Sequence, residues 1–83
     1  MPALVAAQTL PAIYDVSGVA ANDTLNVRSG PSTGHEVIAK LPPDAVEIEV
    51  VDADKAGEWG LINVGDTSGW VALRYMARQP GQP

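Results

Sequence analysis

The sequence predicts an all-β domain, a small barrel, closed or nearly closed, of five or six short antiparallel strands. Apolar and polar residues alternate in short runs, and glycine, proline, asparagine and aspartate separate these runs, as in strands joined by turns. No window keeps a helical period long enough for a stable helix. With 83 residues, the chain has room for one small domain.

The predicted strands follow these alternations and span, in chain order, residues 13–19, 24–28, 35–41, 46–51, 58–64 and 69–73. The cleanest alternation is in the fourth strand, where Val46, Ile48 and Val50 are expected to face the core. Glu47 and Glu49 then face solvent, which is the pattern of a sheet with one wet side.

Turn residues separate the strands. After residues 24–28, Gly30 is expected to take a positive φ and Pro31 to fix the next φ, so that the chain turns sharply. Pro42 ends the third strand because proline cannot donate to a ladder. Residues 53–57 are predicted to form a hairpin tip and residues 65–68 a tight turn.

Composition excludes several classes of function. The net charge is −5, and acidic residues crowd between Asp44 and Asp54, so nucleic acid is a poor partner. The acidic stretch is interpreted as a solvated strand face and hairpin tip; a calcium site at Asp52 and Asp54 is the alternative, without a loop spacing to support it. The chain has no cysteine, which excludes disulfides and thiolate metal sites.

The sequence does not indicate catalysis. His35 is the only histidine and lies in a polar loop, without a second metal ligand at a recognisable spacing. No nucleophile elbow is present, and no glycine-rich phosphate loop precedes a helix. We therefore expect no enzyme activity, no cofactor and no metal.

The ends of the chain are expected to lie outside the domain. Residues 1–11 are predicted to be disordered, either as the remnant of a signal peptide or as a linker, and they are too short to span a bilayer. Residues 12–78 form the predicted domain, and residues 79–83 a disordered tail. We expect a monomer that does not insert into membranes.

Strand parity gives the first functional clue. If Ile62 and Val64 face the core, Trp59 faces the other way, and Trp70 likewise lies opposite Val71. Indoles on the outer face suit recognition of peptides or sugar rings. The alternative is that both tryptophans cap the open ends of the barrel.

Three segments carry a family resemblance. Asp23-Thr-Leu-Asn-Val-Arg-Ser-Gly-Pro-Ser32 resembles the opening motif of bacterial SH3-like (SH3b) domains, and residues 58–64 resemble their tryptophan-led strand. Residues 68–76 resemble the closing Gly-Trp-Val strand, which is followed by a turn that contains tyrosine. The resemblance covers residues 14–77 and implies an SH3-like barrel with a short 3₁₀ turn near its C-terminus.

The same resemblance implies a non-catalytic module that targets a parent protein to peptidoglycan or its stem peptide, in the periplasm or outside the cell. Its implied ligand-binding residues are Trp59, Tyr75 and Trp70, with Asn26 and Arg28 shaping the adjacent loop. For Arg28 we favour a structural role, in which it holds the loop through backbone carbonyls or a nearby carboxylate, and for Asn26 a turn-stabilising role. The alternatives are a module that binds a protein partner in the envelope and an accessory domain of a larger cell-wall hydrolase.

Overall fold

A computed structural model describes residues 9–82 and shows one antiparallel sheet of seven strands, which confirms the all-β prediction. The strands are β1 (Ala12–Val16), β2 (Leu25–Arg28), β3 (Val37–Leu41), β4 (Ile48–Ala53), β5 (Trp59–Val64), β6 (Thr67–Ala72) and β7 (Met76–Arg78). A 3₁₀ turn at Leu73–Tyr75 joins β6 to β7, as the resemblance implied. The order across the sheet is β3-β2-β6-β5-β4-β1-β7. Within residues 9–82, no helix is long or apolar enough to cross a membrane.

The sheet curls around one hydrophobic core to which every strand contributes. The buried side chains are those of Ala12, Tyr14, Val16, Leu25, Val27, Leu41, Val50, Ile62, Val71 and Met76. Because each of the seven strands contributes at least one buried side chain to the same cluster, the sheet cannot be flat, and it has the curvature of a small barrel.

Close approach of β2 and β6 depends on a glycine in the core. A Cβ on Gly69 would lie 2.4 Å from Cγ1 of Val27 and 3.1 Å from the carbonyl oxygen of Arg28. A larger residue would therefore force the two strands apart. The hairpin of β5 and β6 is tighter than predicted, because Gly65 and Asp66 alone form its turn and Gly65 has a φ of 60°.

Two strands have boundaries that differ from those the alternation predicts: β1 is shorter, and β4 is shifted by two residues toward the C-terminus. β1 ends at Val16 because Gly18 follows with a φ of 80°, and the N–H of Ser17 donates to the carbonyl of Tyr75. β4 begins at Ile48 because Glu47 has a φ of 57°, outside the β region. The expectation that Val46 faces the core is therefore wrong, and its side chain is 61% exposed.

The sequence did not predict the seventh strand, so the expected count of five or six is too low. β7 pairs with β1 through Met76 and Val16 and has only three residues, too few to show an alternation. After this strand, the N–H of Gln79 donates to the carbonyl of Ile13. The side-chain amide of Gln82 accepts the N–H of Ile13 through Oε1 and donates to its carbonyl through Nε2. Residues 79 and 82 of the expected tail thus bond to β1, whereas residues 1–8 lie outside the described part of the chain.

Candidate ligand groove

A groove of about 420 Å³ lies on the outer side of the sheet, at the low end of the volumes typical of ligand sites. The loop between β1 and β2, strand β2, the start of β5 and the 3₁₀ turn surround it. Its lining consists of residues 18–20, 23–26, 28, 33, 59, 72, 74 and 75, and we call this set the groove.

The structure brings four of the five predicted site residues to this groove. Trp59, Tyr75, Asn26 and Arg28 all line it, whereas Trp70 is not part of the lining. Trp70 lies on the same outer face, where its Cα pairs with that of Arg28 in β2 and that of Leu61 in β5.

The parity of the two tryptophans is as predicted. In β5 the buried Gly60 and Ile62 alternate with a half-buried Trp59, and in β6 the half-buried Trp70 stands between buried neighbours. Neither indole is enclosed in the core. Each ring thus presents part of its apolar surface to solvent.

Asp54 fixes the start of β5 and with it the position of Trp59. Its Oδ1 accepts the backbone N–H groups of Glu58 at 2.8 Å and Trp59 at 3.0 Å, and its own N–H donates to the carbonyl of Trp59. This role was not predicted from the sequence, although aspartate at the start of a hairpin tip is a known turn signal.

The calcium alternative has little geometric support. The carboxylate of Asp54 is occupied by the hairpin backbone, and that of Asp52 accepts the N–H of Ala53. Among residues 9–82, no three histidine, cysteine, aspartate or glutamate side chains come together as metal ligands would.

The 3₁₀ turn holds Tyr75 at the other side of the groove. The N–H of Leu73 donates to the carbonyl of Glu58, and the carbonyl of Tyr75 accepts the N–H of Ser17, so the turn is bonded to residues next to β5 and β1. Trp59 pairs with Ala72, the residue just before the turn, which explains why the two aromatic residues share one groove. The Arg74 guanidinium lies 5.5 Å from the centroid of the Tyr75 ring, a cation–π distance.

Arg28 has the structural role expected from the sequence. Its Nη1 donates to the carbonyl oxygens of Thr33 at 3.1 Å and His35 at 3.0 Å, which confirms that it holds the loop between β2 and β3. Because Thr33 lines the groove, Arg28 both lines the site and positions another part of its wall.

Gly30 is needed for a different reason from the one predicted. Its φ is not positive, and the expectation of a left-handed glycine is wrong. Instead, the imidazole of His35 lies over it, so that a Cβ on Gly30 would be 2.4 Å from Cδ2 of the ring. Ser32 Oγ is 2.9 Å from Nδ1 of His35, and the exposed imidazole therefore has a loop-building contact.

Asn26 has a different environment from the expected one. Asn26 of β2 pairs with Lys40 of β3, and its half-buried side chain lines the groove. The turn-stabilising hydrogen bond expected of its side chain is not formed within residues 9–82. The amide of Asn26 therefore keeps donors and an acceptor for a ligand in the groove.

The curled sheet, the 3₁₀ turn before the last strand and the aromatic groove define a small SH3-like domain. Comparison with known families gives the same answer. A family model described as "Bacterial SH3 domain" matches residues 23–77, about two thirds of the chain. The chain belongs to the bacterial SH3 domain family.

One curated relative is similar in sequence. It is a protein of Bacillus subtilis (strain 168) named "Putative N-acetylmuramoyl-L-alanine amidase YrvJ", 38% identical over 52 residues. The match covers 63% of this chain and 10% of that protein, so the chain corresponds to about a tenth of its relative's length. No solved structure matches the chain significantly.

Proposed function

We propose that this chain is a non-catalytic binding module that targets a parent protein to peptidoglycan or its stem peptide. The observation that carries the proposal is that Trp59 and Tyr75 line one groove together with Asn26 and Arg28. Aromatic rings offer apolar contact area, and the amide and guanidinium offer hydrogen bonds to the main chain of an extended peptide. His35, the only histidine in the sequence, is not part of the lining.

Family membership and the curated relative support a ligand from the cell wall. The relative's name describes an activity on N-acetylmuramoyl-L-alanine, and the similar region is a small part of that protein. A module of this kind works in the bacterial envelope, and we therefore propose a periplasmic or extracellular location.

The affinity of the isolated domain is expected to be weak. The groove is open to solvent and its aromatic residues are only partly exposed, so a ligand buries little area in it. A second binding domain on the same parent protein would raise the overall affinity through effective concentration.

The proposal is tested by titrating ¹⁵N-labelled domain with purified muropeptides and following backbone amide shifts. We expect shifts at residues 26, 59 and 75 that are lost in Trp59→Leu and kept in Trp70→Leu. The second variant also removes an indole from the outer face of the sheet, but at a position outside the groove. Shifts confined to other regions, or equal losses in both folded variants, would contradict the proposal.

Binding of a protein partner in the envelope is the second candidate, and the edge strand favours it. Val37 and Ile38 of β3 are 37% and 39% exposed, and β3 lies at one end of the sheet order with only β2 as its neighbour. Such an edge can pair with another chain. Cosedimentation with purified peptidoglycan separates the candidates, because only the first predicts that wall fragments retain the domain.

The third candidate also includes binding to the cell wall. In it, the domain is the accessory part of a larger cell-wall hydrolase. The curated relative favours it, since the similar region is about a tenth of a protein named as an amidase. Wall cleavage by these 83 residues alone would contradict the non-catalytic proposal.

A further inference from the structure

The groove is locally basic on an acidic protein. Of the five lysine and arginine residues in the sequence, Arg28 and Arg74 line it, while Asp23 is the only one of the ten acidic residues that does. The Asp23 carboxylate accepts the N–H of Thr24 at 2.7 Å, so part of its hydrogen-bonding capacity is already used. The charge of the lining is therefore opposite in sign to that of the whole molecule.

Arg74 is the basic side chain free to meet a ligand. It is exposed, and its guanidinium stays beside the groove because it packs over the Tyr75 ring. Within residues 9–82, no carboxylate lies at ion-pair distance from it. Arg28 also lines the groove, but it is more constrained, because its Nη1 already donates to two loop carbonyls.

We infer that the groove selects a short extended peptide that carries a carboxylate, which Arg74 binds at the rim while Trp59 and Tyr75 contact the neighbouring residues. A guanidinium recognises a carboxylate through charge-assisted hydrogen bonds. This inference rests on the proposed function and adds the chemical group that the ligand must present.

The net charge of −5 does not oppose this selection at short range. At physiological ionic strength, charges separated by more than about 8 Å are largely screened, so the side chains lining the groove dominate the potential felt by a bound ligand. Glu58 is the acidic residue to consider, because it lines a neighbouring groove together with Trp59 and Arg74. It is not part of the lining where the peptide is proposed to bind.

The test uses three N-acetylated peptides and the amide shifts of the labelled domain. The probes are trialanine with a free C-terminal carboxylate, its C-terminal amide, and Ala-Glu-Ala amide, whose only charge is on the side chain. We expect one or both carboxylate peptides to bind about threefold to fivefold more tightly than trialanine amide, with shifts at residues 59 and 75. Which of them does so identifies the carboxylate as terminal or side-chain.

Matched variants assign this preference to Arg74. Arg74→Gln should abolish it, whereas Lys55→Gln should keep it, because Lys55 is exposed and outside the groove and its loss changes the net charge equally. Equal affinity for acid and amide peptides, equal effects of the two variants, or no shifts in the groove with any probe would overturn the inference. The muropeptide titration decides the proposed function separately, because a groove that binds muropeptides without distinguishing acid from amide fails only the inference.

Discussion

Replacing Gly30 with alanine should destabilise the domain, and the penalty should depend on His35. In the folded protein the new Cβ would lie 2.4 Å from Cδ2 of the imidazole, more than 1 Å inside a normal carbon–carbon contact of about 3.5–4.0 Å. One of the two groups has to move. The backbone at Gly30 follows a core strand and the imidazole is exposed, so the ring is expected to yield first.

The size of the loss in unfolding free energy depends on the interactions that the imidazole loses. If the imidazole rotates away, its 2.9 Å contact with Ser32 Oγ is lost, which costs about 0.5–1.5 kcal/mol. If the ring cannot rotate freely, residual overpacking costs about 1–3 kcal/mol. We expect Gly30→Ala to lower the free energy of unfolding by about 1–2 kcal/mol, which for a domain of this size lowers Tm by at least about 4 °C.

A double-mutant cycle isolates the contact. Urea unfolding followed by tryptophan fluorescence gives the free energies for Gly30→Ala, His35→Ala and the double variant. In the His35→Ala background, Gly30→Ala should be neutral or stabilising by up to about 1 kcal/mol, because alanine restricts the unfolded chain and the φ of Gly30 is not positive.

Gly34 supplies the control within the same loop. A Cβ there would meet only Ser32 Oγ at 3.6 Å, an ordinary contact, and Gly34→Ala should change stability by less than about 0.5 kcal/mol. A penalty for Gly30→Ala of the same size with and without His35 would refute the reasoning. It would mean that the backbone conformation, not the imidazole, requires glycine.

Three further predictions concern other parts of the fold. Asp54→Ala should lower the free energy of unfolding by about 1–2 kcal/mol and shift tryptophan emission, because two N–H groups at the start of β5 lose their acceptor. Asp52→Ala, which removes the same charge but only a bond to the next residue, should cost less in the same urea titrations. Glu47 has a φ of 57°, which is strained for a residue with a Cβ. In thermal melts, Glu47→Gly should therefore raise the free energy of unfolding by about 0.5–1 kcal/mol and Glu47→Val should lower it. Equal effects of the two substitutions would contradict this strain. Hydrogen bonds from Gln79 and from the N–H of Glu47 lower the pKa of Asp15 below its ordinary value of 3.8. A lowered folded-state pKa gives stability that is present above the unfolded-state pKa and is lost as pH falls through the folded-state pKa, so the urea midpoint should drop on acidification from about pH 4. That drop should be smaller in Asp15→Asn, and identical pH profiles would disprove the contribution.

Most strands could be predicted from the sequence because a period of two fixes which face each residue takes. This holds for β5, where the alternation alone predicts that Ile62 lies in the core and Trp59 on the outer face, as observed. It fails where the chain leaves the β region. The residue type of Glu47 does not predict its positive φ. Its N–H donates to the carboxylate of Asp15, a contact between distant parts of the chain that forms only on folding.

The missed features share the same cause. β7 is a strand because β1 offers it a partner, and three residues carry too little pattern to predict that pairing. The roles of Asp54 and Gly30 depend on which backbone groups and which ring lie within reach after folding. By contrast, the structural role of Arg28 could be anticipated, since an arginine beside a tight turn often bonds backbone carbonyls or a nearby carboxylate, and the structure shows the carbonyls.

The two sides of the groove differ in how freely their residues can change. On the β2 side, Arg28 is bonded to two carbonyls of the loop, so a substitution there alters the wall as well as the ligand contact. On the side of the 3₁₀ turn, the hydrogen bonds that hold the turn are made by the backbone of Leu73 and Tyr75. The Arg74 side chain only packs over the exposed ring of Tyr75. A change at position 74 therefore alters the charge presented to a ligand with little effect on folding. Variants at this position should therefore change the preference for a carboxylate ligand while their unfolding free energies stay within about 0.5 kcal/mol of the unmodified domain.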